Sequence, residues 1–168
     1  YIDEIRNLAS FEEYASKIAD FELAGKPTYF PFGVAPDFMD ARINVLWADG
    51  PGTILPDTTY YAEDHPQKAD LLAKWRKTQE DLLAKFDFAE EEIKDLLDKV
   101  LELDAVFAQY VLSSEESSEY AKLYHPYKWD DFKALVPELP LADIFTKLIG
   151  QEPDQVIVPE AVSYTHLR

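Results

Sequence analysis

Cysteine is absent from this 168-residue chain. That excludes thiol nucleophiles and disulfide staples, and it fits a reducing compartment or a fold that needs no staples. Glycine is scarce, at five residues, and no glycine-rich phosphate loop appears. The histidines are His65, His125 and His166. No two lie close enough for the i, i+4 pair that sets two zinc ligands on one helix face. Nor does a Glu-x-x-His pair of the metal-storage bundles occur on any helix pattern. Bases are few: 16 against 33 acids, a net charge of −17. Nucleic acids and anionic membranes demand the opposite sign. The acidity favours solubility, and as a functional reading it suits cationic peptides. No apolar run approaches the ~18 residues of a membrane span. No charged-then-apolar signal segment opens the chain. The chain begins with Tyr1 rather than Met, so the natural start is expected to be missing.

What is present is a set of helical stripes with one small β region. Ser10 and Glu13 have capping-box spacing, and Phe11, Tyr14, Ile18 and Phe21 recur at helical intervals until Gly25 and Pro27. The spacing predicts a helix over 11–24. Tyr29–Val34 and Ile43–Trp47 alternate and predict an antiparallel strand pair. Pro31 confines the first strand to an edge or a bulge, and a two-stranded ribbon needs further cover. Leu71, Leu72, Trp75, Leu82, Leu83 and Phe86 form a second helical stripe. Asp87 and Glu90 suggest a capping box for a third, through Ile93, Leu97, Val100, Phe107 and Val111. The short link between the two favours an antiparallel helical hairpin. Ser113 with Glu116 caps a fourth helix reaching Leu123, and Tyr124–Tyr127 reads as a turn. Helices from Trp129 to Pro137 and from Leu141 to Gly150 follow, then a strand at 155–158 with no partner nearby in sequence. The expected fold is mainly α (α+β): a multi-helix segment with a small antiparallel β-ribbon near the N-terminus. Its expected parts are the N-terminal helix (1–27), ribbon and crossing (28–61), helical segment (62–150), strand (151–160) and a tail (161–168).

Polar clusters read mostly as structure. Glu90, Glu91 and Glu92 with Asp95 and Asp98 sit at a helix start, where acids complement the dipole, rather than in an irregular cation loop. Glu63-Asp64-His65 are three adjacent residues, which rarely converge on one ion. Tyr120, Tyr124, Tyr127 and Trp129 could stack a sugar or a peptide ring, but packing where short helices meet is the plainer reading. Trp75 between Lys74, Arg76 and Lys77 reads as a core ring beside a solvated basic face. No nucleophile elbow is present.

The segment Pro51-Gly52-Thr53-Ile54-Leu55-Pro56-Asp57-Thr58-Thr59-Tyr60-Tyr61 is different, a rigid irregular crossing between the strand pair and the long helices. In that setting it resembles the Leu-Pro…Tyr-Tyr connection of the neprilysin-like zinc metallopeptidases, with the bacterial oligopeptidase O branch the nearest in character. The resemblance extends over about 2–160. It includes the strand pair, the helix EEEIKDLLDKVLELDAVFAQYVL, Lys122–Tyr127 and Val156-Ile157-Val158-Pro159. The Asp57–Tyr61 stretch lacks the basic residue that many relatives carry before the tyrosine pair.

The resemblance implies a parent enzyme that cleaves short peptides with one zinc, held by HExxH and a later ExxxD glutamate. Neither HExxH, nor an ExxxD following one, nor the Asn-Ala-aromatic-Tyr substrate segment occurs in this chain. It therefore implies no catalytic, cofactor-binding or metal residue here, zinc only in the parent, and short peptides and a C-terminal catalytic lobe as partners. This segment would belong to the helical cap that scaffolds and restricts the catalytic chamber. A bacterial cytoplasmic form is expected. The alternative is a stand-alone acidic helical binding module with no catalysis. The last eight residues, Ala161 to Arg168, resemble translated cloning sequence and are expected to be non-native, leaving the preceding strand without its native partner.

Overall fold

The computed structural model describes residues 2–29, 32–119, 121 and 123–160. The expectation for the tail at 161–168 lies outside the described residues, as do Phe30, Pro31, Tyr120, Lys122 and His166. The chain divides into two compact units: residues up to Gly50 with those from Ala121 onward, and residues 51–120.

The first unit opens with α1 (Ile2–Arg6), a short helix with no apolar stripe to announce it, and α2 (Phe11–Leu23). Ser10 Oγ accepts the Glu13 amide at 3.2 Å, as its spacing implies, and the Glu13 carboxylate accepts the Ala9 amide at 2.9 Å. Ala15, Ile18, Ala19 and Phe21 form the buried face of α2. Gly25, at φ +64°, adopts the left-handed conformation that lets the chain leave the helix. The strand pair forms as expected but displaced, β1 beginning three residues later than expected and β2 one: β1 (Phe32–Pro36) runs antiparallel to β2 (Asn44–Ala48), with Ala35 opposite Val45.

The ribbon does not stand alone. Pro126–Lys128, read from the sequence as part of a turn, is strand β3, and Gln155–Ile157 is strand β4. β4 pairs parallel to β2 and antiparallel to β3, so the sheet order is β1-β2-β4-β3. The expectation that this last strand lacks a partner is thus corrected. Its partners come from distant parts of the sequence, which local pattern does not reveal. β1 is an outer strand, the position in a sheet that tolerates a proline such as Pro36.

Strand alternation sorts the sheet's two faces. Leu46, Ala48 and Val156, with Phe32 beside them, join the main core with α2, α6 (Trp129–Leu135) and α7 (Leu141–Ile149). Phe132, Leu141 and Val156 are among its most enclosed side chains. Phe145 meets Phe32 and Trp129 edge-on at 5.0 and 5.1 Å. The other face carries Val45, Trp47 and Ile157, with Ala35 and Tyr124 against them. Of the aromatic cluster singled out above, Tyr127 and Trp129 therefore serve one face and Tyr124 the other.

The second unit holds the crossing, with a 3-10 turn at Thr58–Tyr61, then α3 (Lys68–Leu83), α4 (Glu90–Phe107) and α5 (Ser114–Ser117). α4 buries Ile93, Leu97, Asp104 and Phe107, and Leu55 from the crossing is also buried. Ser113 and Glu116 form a complete capping box, but the helix they start ends at Ser117 rather than near Leu123. The box expected from Asp87 and Glu90 does not form; the N-cap of α4 is Ala89, with no side-chain bond. α3 buries no residue, and Trp75 is only half-buried, so Trp75 is not a core ring. The fold is mainly helical with a small mixed sheet, the α+β class that the stripes implied.

Candidate functional site

The crossing is the one motif-like segment that composition alone does not explain, and it is held by two carboxylates. The first is Asp104, an acid on the buried face of α4 at 6% exposure. Its Oδ1 accepts the Ile54 amide at 2.7 Å, and its Oδ2 accepts the Tyr61 hydroxyl at 2.5 Å. The Tyr61 oxygen in turn accepts the Leu55 amide at 3.0 Å. One buried carboxylate thus satisfies the start and the end of an irregular backbone that cannot satisfy itself. Burial first, then the Asp104 carboxylate, pushes the Tyr61 hydroxyl up to about 12, so it stays a donor at any physiological pH.

The second is Asp57. Its side chain caps the 3-10 turn through the Thr59 amide (2.8 Å) and hydroxyl (2.5 Å), and accepts the Ser114 amide at 2.6 Å. These donors, the Thr59 hydroxyl foremost and the Ser114 amide next, hold the Asp57 carboxyl well below the usual carboxylate range. Asp57 ties the crossing to the start of α5. Between them lies a cavity of about 600 Å³, lined by residues that include Thr53, Leu55, Thr58, Leu112, Ser114 and Ser118. The lining offers hydroxyls and apolar surface, and its one carboxylate, Asp57, is taken up by the Thr59 and Ser114 donors, so the cavity can hold or shape a chain.

The other candidate clusters resolve into ion pairs. Asp95 pairs with Lys99 at 2.7 Å, and Asp98 with Arg76 at 2.6 Å; Arg76 also reaches Glu80. Lys74 and Lys77 pair within α3 with Asp70 and Asp81. The groove of about 1000 Å³ between α3 and α4 is lined by Arg76, Glu80, Asp81 and Asp98 of these pairs, together with Glu90, Glu91 and Lys94. His65 lies against Tyr60, ring centroids 4.2 Å apart, and its Nδ1 accepts the Gln67 amide; Glu63 and Asp64 do not join it on a common point. His125 lies in the other unit. Among the described residues no three acids or histidines converge as metal ligands do, so the described residues do not fit a zinc centre. Asp104 is the residue the sequence reading passed over. Its signal was available: it continues the stripe of Ile93, Leu97 and Val100 as an acid where an apolar residue is due.

Comparison with known proteins places this arrangement. The sequence model of peptidase family M13 matches residues 1–168. A Streptococcus gordonii (strain Challis) protein assigned as a "zinc metalloproteinase in scaA 5'region" is 97% identical over 160 residues, covering 95% of this chain and 28% of that one. The neutral endopeptidase of Lactococcus lactis subsp. cremoris is 37% identical over 158 residues, covering 94% and 25%. In fold, the crystal structure of PEPO from Lactobacillus rhamnosis HN001 superposes with a TM-score of 0.90 at 23% identity, over 99% of this chain and 26% of that one. The chain spans about a quarter of the length of the relatives it matches. It belongs to peptidase family M13, the neprilysin-like metallopeptidases.

Proposed function

We propose that this chain is part of a zinc-dependent metalloendopeptidase that hydrolyses short peptides. In it, this segment scaffolds and restricts access to the catalytic chamber and supplies neither zinc ligand nor general base. The observation that carries this is the family match along the whole chain, combined with a sequence in which HExxH does not occur. The crossing supports the scaffolding role, since Asp104 and Asp57 hold an irregular segment in one conformation. A rigid frame that touches no reacting atom contributes through orientation and exclusion. The partners under this reading are short peptides and a C-terminal catalytic lobe, with no nucleic acid. No described helix is long and apolar enough to cross a membrane, and we place the parent enzyme in the bacterial cytoplasm.

Two measurements test this together. The purified, tag-free chain is assayed for zinc by elemental mass spectrometry and for cleavage of short peptides. The expected result is no stoichiometric zinc and no hydrolysis. The same sequence, substituted for the matching 160 residues of the Streptococcus gordonii relative, is expected to cleave short peptides in a chelator-sensitive way and to spare folded proteins. Chelator-sensitive hydrolysis by the chain alone overturns the division of labour; equal cleavage of folded proteins by the chimera overturns the access role.

A further inference from the structure

The outer edge of β1 is a row of main-chain groups turned away from the sheet. The Asp37 amide donates to the Ile43 carbonyl at 3.0 Å, which sets the phase of the β1–β2 ladder. By antiparallel alternation, Gly33 and Ala35 bond towards Trp47 and Val45, while Phe32, Val34 and Pro36 turn their main-chain groups away from β2. β1 ends the sheet order, with no further strand beyond it among the described residues. The Val34 amide and carbonyl have no hydrogen-bond partner among the described residues. Natural sheets blunt such edges with charge, proline or a bulge. Here Pro36 closes one end, but Gly33 and Val34 are uncharged and exposed, Val34 at 67%.

Val34 faces the same side as Leu46, its partner across the ladder. On that side a cavity of about 490 Å³ is bordered by both, by Phe145 and by Ile149, which is 54% exposed. Its lining carries one charged group, Asp154, just before β4. The Asp154 carboxylate has no ion-pair or hydrogen-bond partner among the described residues, whereas nearby Glu152 is taken up by Trp129 and Lys133. The strand registers, continued to the ends, line up Pro36, Asn44 and Asp154 across the sheet.

These features define one ligand chemistry. An extended peptide offers a matching row of N–H and C=O groups. Added as an edge strand, it gains affinity from main-chain bonds and specificity from side-chain pockets. Antiparallel addition lets one peptide residue exchange both bonds with Val34. The residue two positions before it then stands opposite Pro36, on the same face. From there the strand carrying Asp154 is three spacings away, about 14 Å, which calls for the longest basic side chain. Arginine also has the right profile, an apolar stem along the cavity wall and a cation at its tip. A second copy added edge to edge would bring two chains of −17 together, which self-repulsion opposes.

We propose that the outer edge of β1 takes up an extended, arginine-bearing peptide as a fifth strand, with Val34 as its main-chain partner and Asp154 as the acid its arginine faces. The class of the occupant rests on the reading of this chain as part of an enzyme for short peptides, but binding is read without hydrolysis. The probe is acetyl-Arg-Thr-Val-Thr-amide, titrated into the isotope-labelled chain and followed by amide NMR shifts. Saturable shifts at Gly33, Val34 and Ala35 are expected. N-methylation of the probe's valine, which removes its bond to the Val34 carbonyl, should weaken binding about tenfold. Val34→Pro, which removes the chain's own edge donor, should do the same. Citrulline in place of the probe's arginine should weaken binding about threefold, as should Asp154→Asn, with no further loss when the two are combined. Equal binding of either altered probe, or no shifts at β1, overturns the proposal. Shifts confined to the acidic groove of α3 and α4 overturn it as well, because they report attraction to net charge alone. Shifts at the β1 amides that grow with chain concentration before peptide is added also overturn it, in favour of edge-to-edge pairing of two copies. A chain that binds the probe while the chimera described above cleaves nothing sinks the functional reading and leaves the edge site standing; cleavage by the chimera with no binding at β1 does the reverse.

Discussion

Asp104 ties two separate points of the crossing, the Ile54 amide and the Tyr61 hydroxyl. Replacing it with alanine leaves the Ile54 amide and the Tyr61 hydroxyl without their acceptor in a half-buried setting. Asp104→Ala should therefore cost about 2 kcal/mol or more, and Tyr61→Phe, which leaves one donor, the Leu55 amide, without its acceptor and leaves the carboxylate its Ile54 bond, about 1 kcal/mol. Thermal melts at neutral pH check the order; equal effects would show that the tyrosine, not the carboxylate, is the hub. The same pair gives an alkaline signature. The Tyr61 hydroxyl is held up to about 12, above its ordinary value of 10.0. Folding thus favours the neutral phenol, and this contribution is intact below pH 10 and lost as pH rises from 10 through 12. The stability of the parent chain should fall more steeply over that window than that of Tyr61→Phe, measured by chemical denaturation at stepped pH.

At the scale of elements, the helical hairpin was legible as a hairpin but not in its distribution of burial. Both helices carry apolar stripes, yet α4 encloses Leu97 at 3% exposure while α3 encloses nothing. Leu97→Asp should cost roughly 3 kcal/mol or more, because it buries an unpaired carboxylate. Trp75→Asp should cost distinctly less, since the ring is half-solvated and a charge there keeps its water. Melts that rank the two equally would mean α3 is enclosed as deeply as α4. The crossing itself offers an acid-side counterpart. Asp57 is held below the usual carboxylate range by the Thr59 hydroxyl and the Ser114 amide. Its depressed value means the stabilisation exists above the ordinary carboxylate range and fades as pH falls below it. The stability difference between the parent chain and Asp57→Asn should therefore be present at pH 7 and close in strong acid, as followed by circular dichroism.

For the whole molecule, charge is the dominant global property. A net −17 on 168 residues opposes compaction through self-repulsion, and added salt screens it. The melting temperature should rise between low salt and about 0.5 M sodium chloride, where the screening length drops to a few ångströms. An unchanged or falling value would show that the surface ion pairs, such as Arg76–Asp98 and Lys133–Glu152, outweigh the excess of acids. Exposed pairs of this kind contribute little each, which is why the rise is expected.

What the sequence by itself determined is what depends on near neighbours and on presence or absence. Helix starts at Ser10 and Ser113, the stop at Gly150, the alternation of β1 and β2, and the lack of HExxH are all readable from residues a few positions apart. Capping, periodicity and φ preference act over that range. Tertiary structure alone decided the rest. It drew β3 and β4 into the sheet from far along the chain, made Tyr124 and Tyr127 serve opposite faces, and left Trp75 half in water. It also brought Asp104 to Ile54 and Tyr61. Strand pairing and the satisfaction of buried donors are settled between segments distant in sequence, where the free energy lies in enclosure and not in local pattern.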